Sequence, residues 1–179
     1  HAIEEIDTVN SEEVLVFTNM QNVYKKRLAD LDDTKPSELG NYMPNKVELE
    51  KNEEILSIIP LSSEITRILI GFDDGKVAKI TTDSYRTKQN RSVLRGGFAN
   101  KMAILFKGLK EDIDLMSVST DTKTVLMNTD TINEKSSKTT QGVTFQRLKD
   151  DAKVEKYITD FSDIEDVEYY RVASAGVGK

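Results

Sequence analysis

Between Ile68 and Ile80 the chain reads ILIGFDDGKVAKI, two apolar runs on either side of Asp73-Asp74-Gly75. Glycine accepts the positive φ that tight hairpin turns require, and Ile, Val and Phe suit a pleated, half-buried surface. The pattern therefore predicts a β-hairpin. It recurs upstream over Val14 to Leu28, where Val14, Leu15, Val23 and Lys25 align with Ile68, Leu69, Val77 and Lys79 at an offset of 54. A fainter copy lies downstream: Met116, Thr124 and Val125 fall opposite Leu69, Val77 and Ala78 at an offset of 47, and Asp121 and Lys123 echo Asp74 and Lys76. Thr122 stands there in place of the turn glycine, which predicts a turn of another type. One hairpin reused at near-constant spacing confines the chain to a repeat architecture.

The remaining strands are short. Ile55 to Leu61 is one, with Pro60 suited to a strand terminus or edge. Ala103 to Lys107, Gly142 to Leu148 and Lys153 to Thr159 are others, and Ala2 to Asn10 is read as a further short strand. Asp30 to Pro44, with Pro36, Gly40 and Pro44 among polar residues, reads as a long loop. Thr82 to Lys101 reads as a basic connection, Asp160 to Tyr170 as a helical turn or another strand, and Ala173 to Lys179 as a frayed tail.

Helical periodicity is missing almost everywhere. The fold class expected is all-β, a β-propeller-like array of about three antiparallel blades, open and not a closed ring. The expected divisions are 1–11 as a remnant of a preceding blade, 12–66, 67–112 and 113–168 as blades, the last with an acidic end, and 169–179 as tail. A β-sandwich is the other reading, but it has no reason to reuse one hairpin, turn and trailing lysine.

Cysteine is absent and His1 is the only histidine, so thiolate metal sites, Ser-His-Asp triads, HExxH zinc sites and histidine bases are excluded. No apolar run approaches the roughly 18 residues that span a bilayer, so no membrane partner is expected. His1-Ala2, with no initiator Met before it and no signal-peptide pattern after it, reads as a cloning remnant and the chain as a fragment. Three carboxylate groups, Asp30/Asp32/Asp33, Asp112/Asp114 and Asp163/Glu165/Asp166, lack calcium-loop spacing and read as solvated. The inventory describes a binding module and not an enzyme.

The formal net charge of −6 hides a segregation: residues 76–110 carry nine Lys and Arg against Asp83 alone, while residues 1–75 carry 7 basic and 16 acidic side chains. A solvated face usually mixes signs, so the basic window reads as a contact surface.

Three segments resemble the C-terminal β-pinwheel domain of the A subunit of bacterial type IIA topoisomerases, gyrase or topoisomerase IV. Val14 to Leu31 and Ile68 to Tyr85 are similar to that family's blade opening, an apolar strand, a small polar turn and a trailing lysine. Lys138 to Leu148, KTTQGVTFQRL, is similar to its loop-to-strand element. The Gln-Arg-Arg-Gly-Gly-Lys-Gly box of gyrase is missing, and Leu94-Arg95-Gly96-Gly97 is only an echo of it.

The resemblance implies a non-catalytic, cytoplasmic bacterial module that binds and bends duplex DNA. Its partners would be DNA, the remainder of the A subunit and the B subunit. It needs no cofactor of its own, since ATP, magnesium and the catalytic tyrosine belong to the rest of the holoenzyme. Phosphates attract lysine and arginine whatever the base sequence. The expected DNA contacts are Lys25, Lys26, Arg27, Lys76, Lys79, Arg86, Lys88, Arg91, Arg95, Lys101 and Lys138, set along one rim. The competing reading is a propeller-like protein-interaction module with no nucleic-acid role, its cations paired on the surface with Asp and Glu.

Overall fold

The computed structural model describes residues 13–27, 49–86 and 92–179. The expected strand over Ala2 to Asn10, the loop over Asp30 to Pro44, and Lys88 and Arg91 lie outside the described residues. Among the described residues, eleven strands form three antiparallel sheets: β1 (Glu13–Thr18), β2 (Val23–Arg27), β3 (Ile55–Pro60), β4 (Arg67–Phe72), β5 (Lys76–Thr81), β6 (Val93–Leu94), β7 (Ala103–Leu109), β8 (Asp114–Ser119), β9 (Thr124–Asn128), β10 (Val143–Thr144) and β11 (Val154–Ile158). The described residues contain only short 3-10 turns as helix, one of them at Val167–Tyr170 within the stretch expected to be a helical turn or a strand.

The hairpin repeat holds at the level of register. Val14 pairs with Lys26, Ile68 with Ile80 and Leu115 with Met127, so the offsets of 54 and 47 superimpose the three hairpins residue for residue. Their turns are also alike. Gln21, Gly75 and Thr122 have φ of 57°, 86° and 69°, and each donates its N–H to the last residue of the incoming strand. The expectation of a different turn at Thr122 is corrected: threonine takes the left-handed conformation at a cost of about 1 kcal/mol. Only Gly75 is also forced by contact, because a Cβ there would stand 2.2 Å from the Gln146 carbonyl oxygen.

Sheet order is β3-β1-β2-β6, β10-β5-β4-β7 and β11-β8-β9. The fourth strand of each four-stranded sheet comes from the following sequence unit. β6 follows the second hairpin yet pairs with β2, and β10 follows the third yet pairs with β5. The sheets therefore interlock across the sequence divisions at 66 and 112. Each of these closing strands is two residues long, too short to show periodicity, and the sequence assigned Val93–Leu94 to a connection.

Strand alternation sends one face of each hairpin toward the unit before it and the other toward the unit after. Leu15, Phe17 and Val23 of the first sheet meet Ile68, Ile70, Phe72, Ala78 and Ile80 of the second in one buried cluster. Leu69 and Val77, on the opposite face of the second sheet, meet Leu115, Val125 and Met127 of the third. The core is thus a stack of blade interfaces.

A buried carboxylate ties the turn before β3 to the first hairpin. Glu53 accepts hydrogen bonds from Thr18 Oγ1, Tyr24 OH at 2.6 Å, Asn22 Nδ2 at 2.8 Å and the Glu50 N–H at 2.9 Å. Burial by itself would raise its pKa, but these donors outweigh that and hold it below the ordinary glutamate value. Burial, with the same bond, pushes the Tyr24 phenol up to about 12. A lowered folded pKa gives stability that is present above the unfolded value and lost as pH falls through the folded one. Glu53→Gln is expected to cost roughly 2 kcal/mol near neutrality. The gap to wild type should close as urea melts are repeated at progressively more acidic pH, and a constant gap would contradict the network.

Candidate nucleic-acid interface

Residues 92–97, which include β6, and residues 135–145, which include β10, lie along equivalent sheet edges and act as straps. The first crosses β2: Lys25 N–H bonds to the Ser92 carbonyl at 2.8 Å, and Gly97 N–H to the Gln21 carbonyl at 2.7 Å. The second crosses β5: Lys135 N–H bonds to the Lys79 carbonyl at 2.8 Å, and Phe145 N–H to the Gly75 carbonyl at 2.8 Å. Lys25, Lys26 and Arg27 on β2, with Arg95, border the first strap; Lys76, with Lys135 and Lys138, borders the second. Ser136, Ser137, Thr139 and Thr140 interleave with these lysines, a composition that donates to phosphate oxygens.

The predicted cations divide on burial. Lys79 is only 5% exposed; its Nζ donates to Asp112 Oδ1 at 3.0 Å and the Thr129 carbonyl at 2.9 Å, joining second sheet to third. It is removed from the rim because strand alternation puts it on the face shared with the next blade. Lys101 is also withdrawn: it donates to Asp74 Oδ2 at 2.7 Å and the Gln141 carbonyl at 2.8 Å, and lies 4.3 Å from the Phe72 ring centroid. It latches the second hairpin turn to the second strap. Lys25 stands 3.4 Å from Glu13 with its side chain largely covered.

The others are better placed. Lys26, Lys76 and Lys138 are half-buried, and Arg27, Arg86 and Arg95 are exposed. Arg95 keeps 70% of its side chain accessible beside Glu50 at 3.5 Å, and Arg86 approaches Asp83 only to 3.9 Å. Such exposed pairs are worth little and are readily exchanged for phosphate. Lys135, in the same Ser/Thr-rich strap as Lys138, is a further exposed cation.

Of the three carboxylate groups read as solvated, Asp163/Glu165/Asp166 is exposed, Asp30/Asp32/Asp33 lies outside the described residues, and Asp112/Asp114 is instead paired within the fold. Asp112 accepts from Thr129 Oγ1 and Lys79, which hold its pKa below the usual value against the opposing effect of burial. Asp114 accepts both Arg171 terminal nitrogens, at 3.1 and 2.7 Å, and its pKa is lowered mainly by that pairing. Among the described residues no three His, Cys, Asp or Glu side chains gather to hold a metal ion, and no helix is long and apolar enough to cross a membrane.

Interlocked blades with straps carrying cations define the β-pinwheel class of fold. Solved structures share it. A C-terminal domain of DNA topoisomerase IV superimposes with a TM-score of 0.69 at 20% identity, covering 84% of this chain and 48% of that one. A DNA gyrase A C-terminal domain gives 0.54 at 19% identity, over 83% and 47%. The E. coli ParC C-terminal domain gives 0.65 at 8% identity, over 95% and 76%. The chain spans about half the length of the first two. No protein-family model and no curated protein matches the sequence.

Proposed function

We propose that this chain is part of the A subunit of a bacterial type II DNA topoisomerase, where it binds and bends duplex DNA without reading bases. The observation that carries the reading is the pair of equivalent strap edges, each bordered by cations, on a fold shared with topoisomerase IV and gyrase A C-terminal domains. Successive blades repeat a basic edge, and duplex DNA laid across both would pay its bending energy from phosphate contacts. ATP, magnesium and the strand-cleaving tyrosine would act elsewhere in the holoenzyme, with the B subunit, in the bacterial cytoplasm.

With Lys79 and Lys101 held inside the fold, about four phosphates are within reach, so duplex affinity should fall roughly a hundredfold between about 50 and 200 mM salt. Fluorescence anisotropy with a mixed-sequence duplex measures it. Charge reversal of Lys26, Lys76, Arg95 and Lys138 together should abolish that binding. Binding that is insensitive to salt, or survives the reversal, would favour a protein-interaction module.

A further inference from the structure

The end of the chain repeats the second strap. Lys135 N–H bonds to the carbonyl of Lys79, and Val172 N–H bonds to the carbonyl of Leu126 at 3.0 Å; Lys79 and Leu126 are equivalent under the offset of 47. Further along, Val143 pairs with Val77 on β5, while Lys179 and Thr124 exchange both backbone hydrogen bonds, at 2.9 and 3.0 Å, and Thr124 is the equivalent of Val77.

The preceding glycines agree. Gly142 has φ +83° and Gly178 has φ +93°. A Cβ on Gly142 would stand 2.8 Å from the Val77 carbonyl oxygen, and one on Gly178 would stand 2.4 Å from the Thr124 carbonyl oxygen. Each strap is latched at the carbonyl before its glycine, by Lys101 Nζ on Gln141 and by Gln146 Nε2 on Val177 at 3.0 Å. Gln146 is itself buried and accepts from Ser117 Oγ at 2.7 Å.

We propose that residues 172–179 are a third strap, a folded closing element of the third blade, and that its seating keeps the β9 edge from pairing with the β9 edge of a second copy. The expectation of a frayed tail gives way to this geometry. An open strand edge presents a row of unpaired backbone groups, a template for another chain. The third strap covers that edge in cis, where the first two cover β2 and β5.

Gly178→Val and Gly176→Val in the full chain separate this from a passive tail. A Cβ at Gly176 meets nothing within 4 Å, whereas Gly178 needs both its positive φ and its missing side chain. Hydrogen exchange of the Thr124 amide should speed up at least tenfold in Gly178→Val and stay at the wild-type rate in Gly176→Val. The amides of β4 and β5 should keep their protection in both, which reports that the fold persists. Light scattering should show concentration-dependent dimers for Gly178→Val alone. Unchanged Thr124 exchange in Gly178→Val, an equal loss in Gly176→Val, or a strictly monomeric Gly178→Val with a deprotected edge would each overturn the proposal.

Discussion

Phe17→Ala is expected to destabilise the protein by about 4 kcal/mol, the upper part of the range for deleting a buried aromatic side chain. Phe17 is fully buried, and its ring lies 4.8 Å from Phe106, 5.7 Å from Tyr85 and 6.3 Å from Phe98. Those rings come from β7, from the 3-10 turn after β5 and from the residues just past β6, so one side chain joins two sheets and the first strap. The surroundings cannot collapse readily, since Tyr85 is fixed by its hydroxyl donating to the Gly97 carbonyl at 2.7 Å. The next blade interface fills the same place differently. Gly71, the equivalent of Phe17 at the offset of 54, lies under the Tyr157 ring, whose hydroxyl donates to the Phe72 carbonyl at 2.7 Å. A small residue is tolerated at Gly71 because an aromatic arrives from β11; at position 17 Phe106 already occupies that role and leaves the void open. Guanidinium melts measure the loss, and a cost below about 1.5 kcal/mol would show that the interface between the first two blades repacks.

Lys79→Met should cost about 3 kcal/mol. The substitution keeps most of the aliphatic stem but removes the charge that faces Asp112, and breaking a pair of this kind leaves the remaining ion poorly compensated. Asp112 keeps 30% of its side chain accessible, which limits the penalty to the low end of the range for buried pairs. Because Lys79 and Thr129 help hold the Asp112 pKa low, the wild-type advantage is present above the unfolded carboxylate value and fades as pH drops through the folded one. A double-mutant cycle with Asp112→Asn isolates the pair: coupling of at least about 1 kcal/mol is expected, and additive losses would show that the two residues act separately.

The hairpins were legible because everything that specifies them is local. Alternation of apolar residues, turn residues and a fixed offset predict the hairpins over Val14–Leu28 and Ile68–Ile80 and a fainter third copy, and all three occur. The threonine at position 122 concealed a repeated turn, since left-handed geometry is an energetic cost a residue can bear and not a prohibition. The basic window was legible as charge but not as surface. Lys76 and Lys79 are three residues apart on one strand, yet Lys76 stays half-exposed while Lys79 is sealed against a carboxylate 33 residues away. Lys101 likewise finds its partners 27 and 40 residues away.

By itself the sequence determined a repeated all-β chain with one basic region, because strand period, turn conformation and net charge are properties of neighbouring residues. The tertiary structure decided which unit closes which sheet, which lysines remain at the surface, and that residues 172–179 are seated on β9. Each of these depends on a partner far along the chain, joined through two-residue strands and single hydrogen bonds too short to leave a period in the sequence.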